Sequence, residues 1–183
     1  MRTAALLSAE DFELVAQVLG PCELVKGEIV PMSPGGVRHS LVVGNAIRLL
    51  DSYCRPRGLG RVLTGEAGVV VARRPDTVRG ADVAFISYQR LPKGPTEYGF
   101  LQQPPELVIE VLSKDTSWAK MEEKVGDYHA MGVDLVWVLD PQTMTLRAYQ
   151  RGGSPLLLRD TDTVTADPHV PGFTVCVGAF FEE

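Results

Sequence analysis

Cysteine, histidine and net positive charge are all scarce in this sequence, and each scarcity removes a class of protein. The three cysteines, Cys22, Cys54 and Cys176, are widely spaced and form no CxxC pair, so neither a disulfide framework nor a structural zinc site is indicated. They are expected as reduced thiols. The three histidines, His39, His129 and His169, show no HExxH or comparable spacing, which argues against a zinc hydrolase. GxSxG, Walker A and GxGxxG sequences are missing as well. A formal net charge of −5 argues against a protein that coats nucleic acid through many Lys and Arg residues. A local basic patch from Arg55, Arg57, Arg61, Arg73, Arg74 and Arg79 is the alternative to ordinary solvated charge. No apolar run approaches a membrane span, and Glu10, Asp11 and Glu13 follow the short apolar start too closely for a signal peptide. The expected location is the cytoplasm, with no membrane partner.

What is present suits one domain over residues 1–183, with 45% hydrophobic and 22% charged residues. Ser8 followed three residues on by Asp11, with Phe12, Val15 and Leu19 behind it, predicts a capped helix to Leu19. A Lys26-Gly27 turn between two short runs predicts a hairpin over 23–30. Helical spacing of Val42, Val43, Ala46, Ile47, Leu49, Leu50 and Tyr53 predicts a helix over about 37–53, with His39 in its first turn. Short apolar runs at 69–71, 83–86, 107–112 and 135–139 predict strands. Between the last two, residues 115–131 read as a helix with N-cap candidates Asp115, Thr116 and Ser117, stopped by Gly132. That βαβ unit predicts parallel pairing of 107–112 with 135–139, followed by an antiparallel edge at 144–150. Capping strands and a terminal turn are expected over 164–181. The fold class is α/β, a mixed central sheet flanked by helices.

The chemistry points to two carboxylates. Glu110 sits in Leu-Val-Ile-Glu-Val-Leu, apolar on both faces of a strand. A buried carboxylate there implies a partner such as Arg, a raised pKa or a bound cation, unless the strand end is wet. Asp82 opens the expected strand 83–86 and shares a face with Ala84 and Ile86. Alone it reads as a turn residue; beside Glu110 it becomes half of a site. Two such carboxylates with a backbone oxygen suit Mg²⁺, with Mn²⁺ as its substitute. His39 reads either as a satisfied structural histidine or as a contact to the metal water or phosphate. Glu66, in Thr-Gly-Glu-Ala-Gly, reads as a loop carboxylate or a third acid. Glu23 and Glu28 are expected simply to flank the hairpin.

The ordered set 23-Glu-Leu-Val-Lys-Gly-Glu-Ile-Val, His39, Ala81-Asp-Val-Ala-Phe-Ile-Ser, Pro105-Glu-Leu-Val-Ile-Glu-Val-Leu-Ser, Glu123-Lys124 and Gly132-Val-Asp-Leu-Val-Trp-Val-Leu-Asp-Pro resembles the Uma-type restriction-endonuclease-like family of the PD-(D/E)XK nuclease superfamily over nearly the whole chain. The resemblance implies a restriction-endonuclease-like fold and Mg²⁺-dependent hydrolysis of nucleic acid, DNA first, to a 5′-phosphate and a 3′-hydroxyl. It makes Asp82 and Glu110 the metal acids, with the Val111 carbonyl completing the metal site, and by analogy implies a homodimer. Ala81 stands where many members have Pro, and Leu112 where the superfamily has Lys. The resemblance then assigns the displaced ammonium to Lys124 on the following helix, with Lys120 as the rival. A retained fold serving as an inactive binding or assembly module is the competing reading, and hydrolysis of a small phosphoester is a third.

Overall fold

The computed structural model describes residues 6–96, 98–114 and 116–183. In chain order it contains α1 (Ala9–Leu19), β1 (Cys22–Val25), β2 (Glu28–Pro31), α2 (Val37–Arg57), β3 (Gly60–Ala72), β4 (Thr77–Ser87), β5 (Leu107–Val111), α3 (Trp118–Met131), β6 (Leu135–Asp140), β7 (Thr145–Gln150), β8 (Leu156–Arg159), β9 (Thr163–Thr165), β10 (Thr174–Cys176) and a 3₁₀ turn (Val177–Phe180). The strands β2-β1-β4-β5-β6-β7-β8 form one sheet in that order, with β3 also paired to β4. Among the described strands of this sheet, β5 and β6 pair in parallel, as a crossover through α3 requires, and the other strand pairs are antiparallel.

Local signals account for most boundaries. Ser8 caps α1, its hydroxyl accepting from the Asp11 amide while the Asp11 carboxylate reaches back to residue 8. Lys26 and Gly27 both take positive φ, 51° and 81°, the conformation that a two-residue hairpin turn demands. Ser117 caps α3 and Gly132 closes it; Asp115, another of the cap candidates, lies outside the described residues. Helix α2 runs past Tyr53 to Arg57 and ends at the left-handed Gly58.

The sheet has a helical layer on each face. Val42, Ala46, Leu50 and Cys54 of α2 pack on Val83, Phe85, Ile109 and Trp137, with the carboxy-terminal Phe173 and Phe180 closing the same layer. On the other face Met121, Val125 and Tyr128 of α3 pack on Ala84, Val108, Val136 and Val138. Alternation along β5 therefore points Leu107, Ile109 and Val111 at α2 and leaves Val108 and Glu110 under α3.

Three expectations need correction. Asp82 does not open a strand but lies inside β4, because pairing with the long β3 extends the ladder back to Thr77. Residues 145–150 are not an edge, since β8 pairs outside them. Glu66 is not on a loop: β3 continues through it, and an irregularity between Thr64 and Ala67 is absorbed by Gly65 and Glu66 at φ 76° and 58°.

Candidate active site

The site occupies a gap in the sheet. Strand β3 pairs with β4 along its length, so β1 and β5 must share the other edge of β4. Strand β1 meets it only at Val78, while β5 pairs from Val83 to Phe85. Between these contacts the edge from Arg79 to Asp82 has no ladder partner among the described residues, and side chains satisfy it instead. The Gly80 amide donates to Glu23 Oε1 at 3.0 Å, and the Gly80 carbonyl accepts from Lys124 Nζ at 2.7 Å. From the β5 side, the Val111 amide donates to Asp82 Oδ2 at 2.8 Å. Continued pairing would set Asp82 opposite Glu110, one step past Val83 and Ile109.

Glu110 is 2% exposed, and both its oxygens are engaged. Lys124 Nζ donates to Oε2 at 2.9 Å and the Tyr128 hydroxyl to Oε1 at 2.7 Å. Desolvation nevertheless raises its pKa to about 8, with Asp82 pushing the same way against the pull of Lys124 and Tyr128. The Lys124 ammonium is also 3.1 Å from Glu23 Oε1; although burial opposes its charge, Glu110, Glu23 and Asp82 together hold its pKa above the ordinary value. Helix spacing of 124 and 128 places both donors over the same carboxyl. Lys120 is exposed and lines the mouth of the cleft, so Lys124 is the lysine that reaches Glu110.

Two groups escaped the sequence reading. Glu23, expected merely to flank a hairpin, is 6% exposed and lies in the gap; burial pushes its carboxyl up, but Lys124 and Arg79 outweigh that and hold it below the usual range. Arg79, expected in a surface patch, is buried between Glu23 Oε2 at 2.9 Å and Asp127 Oδ2 at 2.6 Å. The other patch arginines with described side-chain partners are engaged elsewhere: Arg55 with Asp51, Arg57 with the Tyr53 carbonyl, Arg61 with the carbonyls of 91, 92 and 94, and Arg73 with Glu10 and Asp76. A side chain at Gly80 would meet Glu66 Oε2 at 3.3 Å, which places that third acid over the gap; desolvation and then Asp82 raise its pKa. His39 Nε2 is 3.4 Å from Asp82 Oδ2, and this contact outweighs desolvation to favour the charged ring.

These groups line a cleft of about 340 Å³, walled by Met32, Ser33 and Gly35 on one side and Met121 on the other. Among the described residues no three His, Cys, Asp or Glu side chains converge into a ready-made metal cage.

The family model described as "Uma2: Putative restriction endonuclease" matches residues 9–178. The chain belongs to the Uma2 family. Uma2 membership makes nuclease-like the coarse functional class. The Uma2 chain also superposes on a crystal structure of a "putative nuclease belonging to DUF820" from Anabaena variabilis, with a TM-score of 0.81 and 17% identity over 96% of this chain and 97% of that one. At that identity the likeness shows the fold, and it is the restriction-endonuclease-like fold expected. No curated protein matches the chain. Among the described residues no helix is long and apolar enough to cross a membrane.

Proposed function

We propose that this protein is a divalent-cation-dependent endonuclease that hydrolyses phosphodiester bonds in nucleic acid, with DNA as the first substrate to test. The observation that carries the reading is the surplus of acid at one cleft. Glu23, Glu66, Asp82 and Glu110 face the cations Lys124 and Arg79, and Arg79 is shared with Asp127. Buried carboxylates without enough cations are costly, and burial and the neighbouring Asp82 push the Glu110 carboxyl up despite Lys124.

The donor set fits magnesium, which binds through one or two carboxylates and keeps several waters rather than needing a full protein cage. Asp82, Glu110 and the Val111 carbonyl would hold it. Once bound, such an ion polarises a phosphate oxygen and lowers the pKa of an attacking water. The chain's own groups supply the rest. Tyr128 fixes the Glu110 carboxyl in orientation, and Lys124 places an ammonium where negative charge builds on the phosphate. His39, whose pKa is raised by its hydrogen bond to Asp82, is placed to donate to a phosphate oxygen.

Calorimetry with Mg²⁺ or Mn²⁺, beside nicking of a supercoiled plasmid, tests this. Wild type should bind the ion and nick. Asp82→Asn and Glu110→Gln should remain folded and lose both. A wild type that binds no ion even with DNA present sinks the reading. Retention of plasmid without nicking would select the binding-module alternative. Cutting both strands calls for two copies, so sedimentation on DNA should show a dimer.

A further inference from the structure

Every atom of Glu110 that would meet a cation is already occupied, which raises the question of what moves when an ion arrives. The Tyr128 hydroxyl belongs to a ring with no exposed surface, set into the core beside Val108 and Val136. It has no room to leave. Lys124 differs on three counts. Its side chain keeps 13% exposure at the cleft, its stem has four rotatable carbons, and its ammonium has two further partners besides Glu110. Those partners, Glu23 Oε1 and the Gly80 carbonyl, belong to neither Asp82 nor Glu110. They are themselves rigidly held, Glu23 by Arg79 on one oxygen and by the Gly80 amide on the other.

We propose that Glu23 and the Gly80 carbonyl form a second seat for the Lys124 ammonium, which receives it when a divalent cation takes over Glu110. The inference rests on the metal-dependent reading above and assigns Glu23 as a positioning residue, one that touches neither ion nor substrate. The seat does two things. It removes the repulsion between an incoming dication and a lysine with nowhere to go, and it keeps the ammonium in the cleft instead of releasing it to solvent. Arg79 belongs to the device because it holds Glu23 ionised and aimed, with Asp127 holding Arg79 in turn.

The signs of the effects follow. Removing the lysine removes the competitor, so Lys124→Met should bind Mn²⁺ more tightly, by about tenfold, the size of an ordinary coupling between contacting residues. Removing the seat leaves the competitor in place, so Glu23→Gln should bind Mn²⁺ about tenfold more weakly. Combining them is decisive. With no lysine to receive, the seat is idle, and Glu23→Gln/Lys124→Met should bind nearly as tightly as Lys124→Met alone.

The experiment is calorimetric titration of Mn²⁺ into wild type, both single variants and the double variant, without nucleic acid and with folding checked by circular dichroism. Lys124→Gln replaces Lys124→Met if the latter does not fold. A merely structural Glu23 would weaken binding to the same extent in both backgrounds, as would a Glu23 that ligates the ion, and that result overturns the proposal. An unchanged affinity in Glu23→Gln also overturns it. Absence of Mn²⁺ binding by wild type removes the metal-dependent reading itself, and this inference with it; binding by wild type without the expected non-additivity removes the inference alone.

Discussion

In the metal-free protein desolvation carries the pKa of Glu110 up from 4.5 to about 8, with the adjacent Lys124 ammonium pulling the other way. In the unfolded chain the same carboxyl ionises near its ordinary value. The folded-state pKa is the higher of the two, so the group's contribution to stability is complete below the unfolded pKa and is lost as pH rises through the folded one. At about 1.4 kcal/mol per tenfold change in proton affinity, the gap corresponds to roughly 5 kcal/mol lost between about pH 4.5 and 8. Relaxation and water entry around a buried charge reduce this, and we expect about 1–3 kcal/mol. Glutamine at 110 keeps the shape, accepts from Lys124 and never ionises, while Lys124 retains Glu23 and the Gly80 carbonyl. Glu110→Gln should therefore match wild type near pH 5 and exceed it at pH 8 by several degrees in Tm, at ~2–4 °C per kcal/mol for a chain of this size. Scanning calorimetry in EDTA at pH 5, 6.5 and 8 measures this. A variant no more stable than wild type at pH 8, or an offset that ignores pH, refutes the reasoning.

Other perturbations have equally definite signs. Tyr128→Phe deletes a hydroxyl that donates to buried Glu110 at 2.7 Å, and should cost about 1–3 kcal/mol in urea unfolding by leaving an acceptor unpaired. Arg79→Met removes the cation between Glu23 and Asp127, with an expected loss of about 3–5 kcal/mol in the same assay. Ser8→Ala breaks the capping box of α1, for about 1 kcal/mol, and should leave ion binding unchanged in calorimetry because α1 lies outside the gap.

Those features whose signal is local were open to a sequence reading. The capping box at Ser8, the Lys26-Gly27 turn and the βαβ unit around α3 all depend on near neighbours, and each stands where its residues imply. Glu110 was legible for a different reason: a single charge in a strand apolar on both faces is conspicuous wherever that strand ends up. Glu23 and Arg79 carried no such mark. In a hairpin packed on one side, the face opposite Leu24 would be wet and a glutamate there ordinary; what buries Glu23 is α3, which comes almost a hundred residues later. Arg79 similarly resembles its exposed neighbours Arg73 and Arg74 until β1 and α3 close over it. Glu66 was obscured by Gly65 and Gly68, which in this chain accommodate an irregular strand and a close approach by Phe100 rather than a loop. The edge strand β8 leaves Leu156 and Leu157 more than half exposed, so burial supplied no alternation by which to find it.

The open edge of β4 also gives the site reporters within the main chain. In an ordinary ladder an amide is shielded from solvent hydrogen by the opposing strand, and its exchange rate records how often the strands part. Gly80 and Val111 are shielded by carboxylates instead, Glu23 for one and Asp82 for the other. Their deuterium uptake should follow the state of those two side chains: an ion drawing on Asp82 would alter the Val111 amide, and a lysine settling against Glu23 would alter that of Gly80. Two peptide groups, one on β4 and one on β5, thus record separately the two halves of the site.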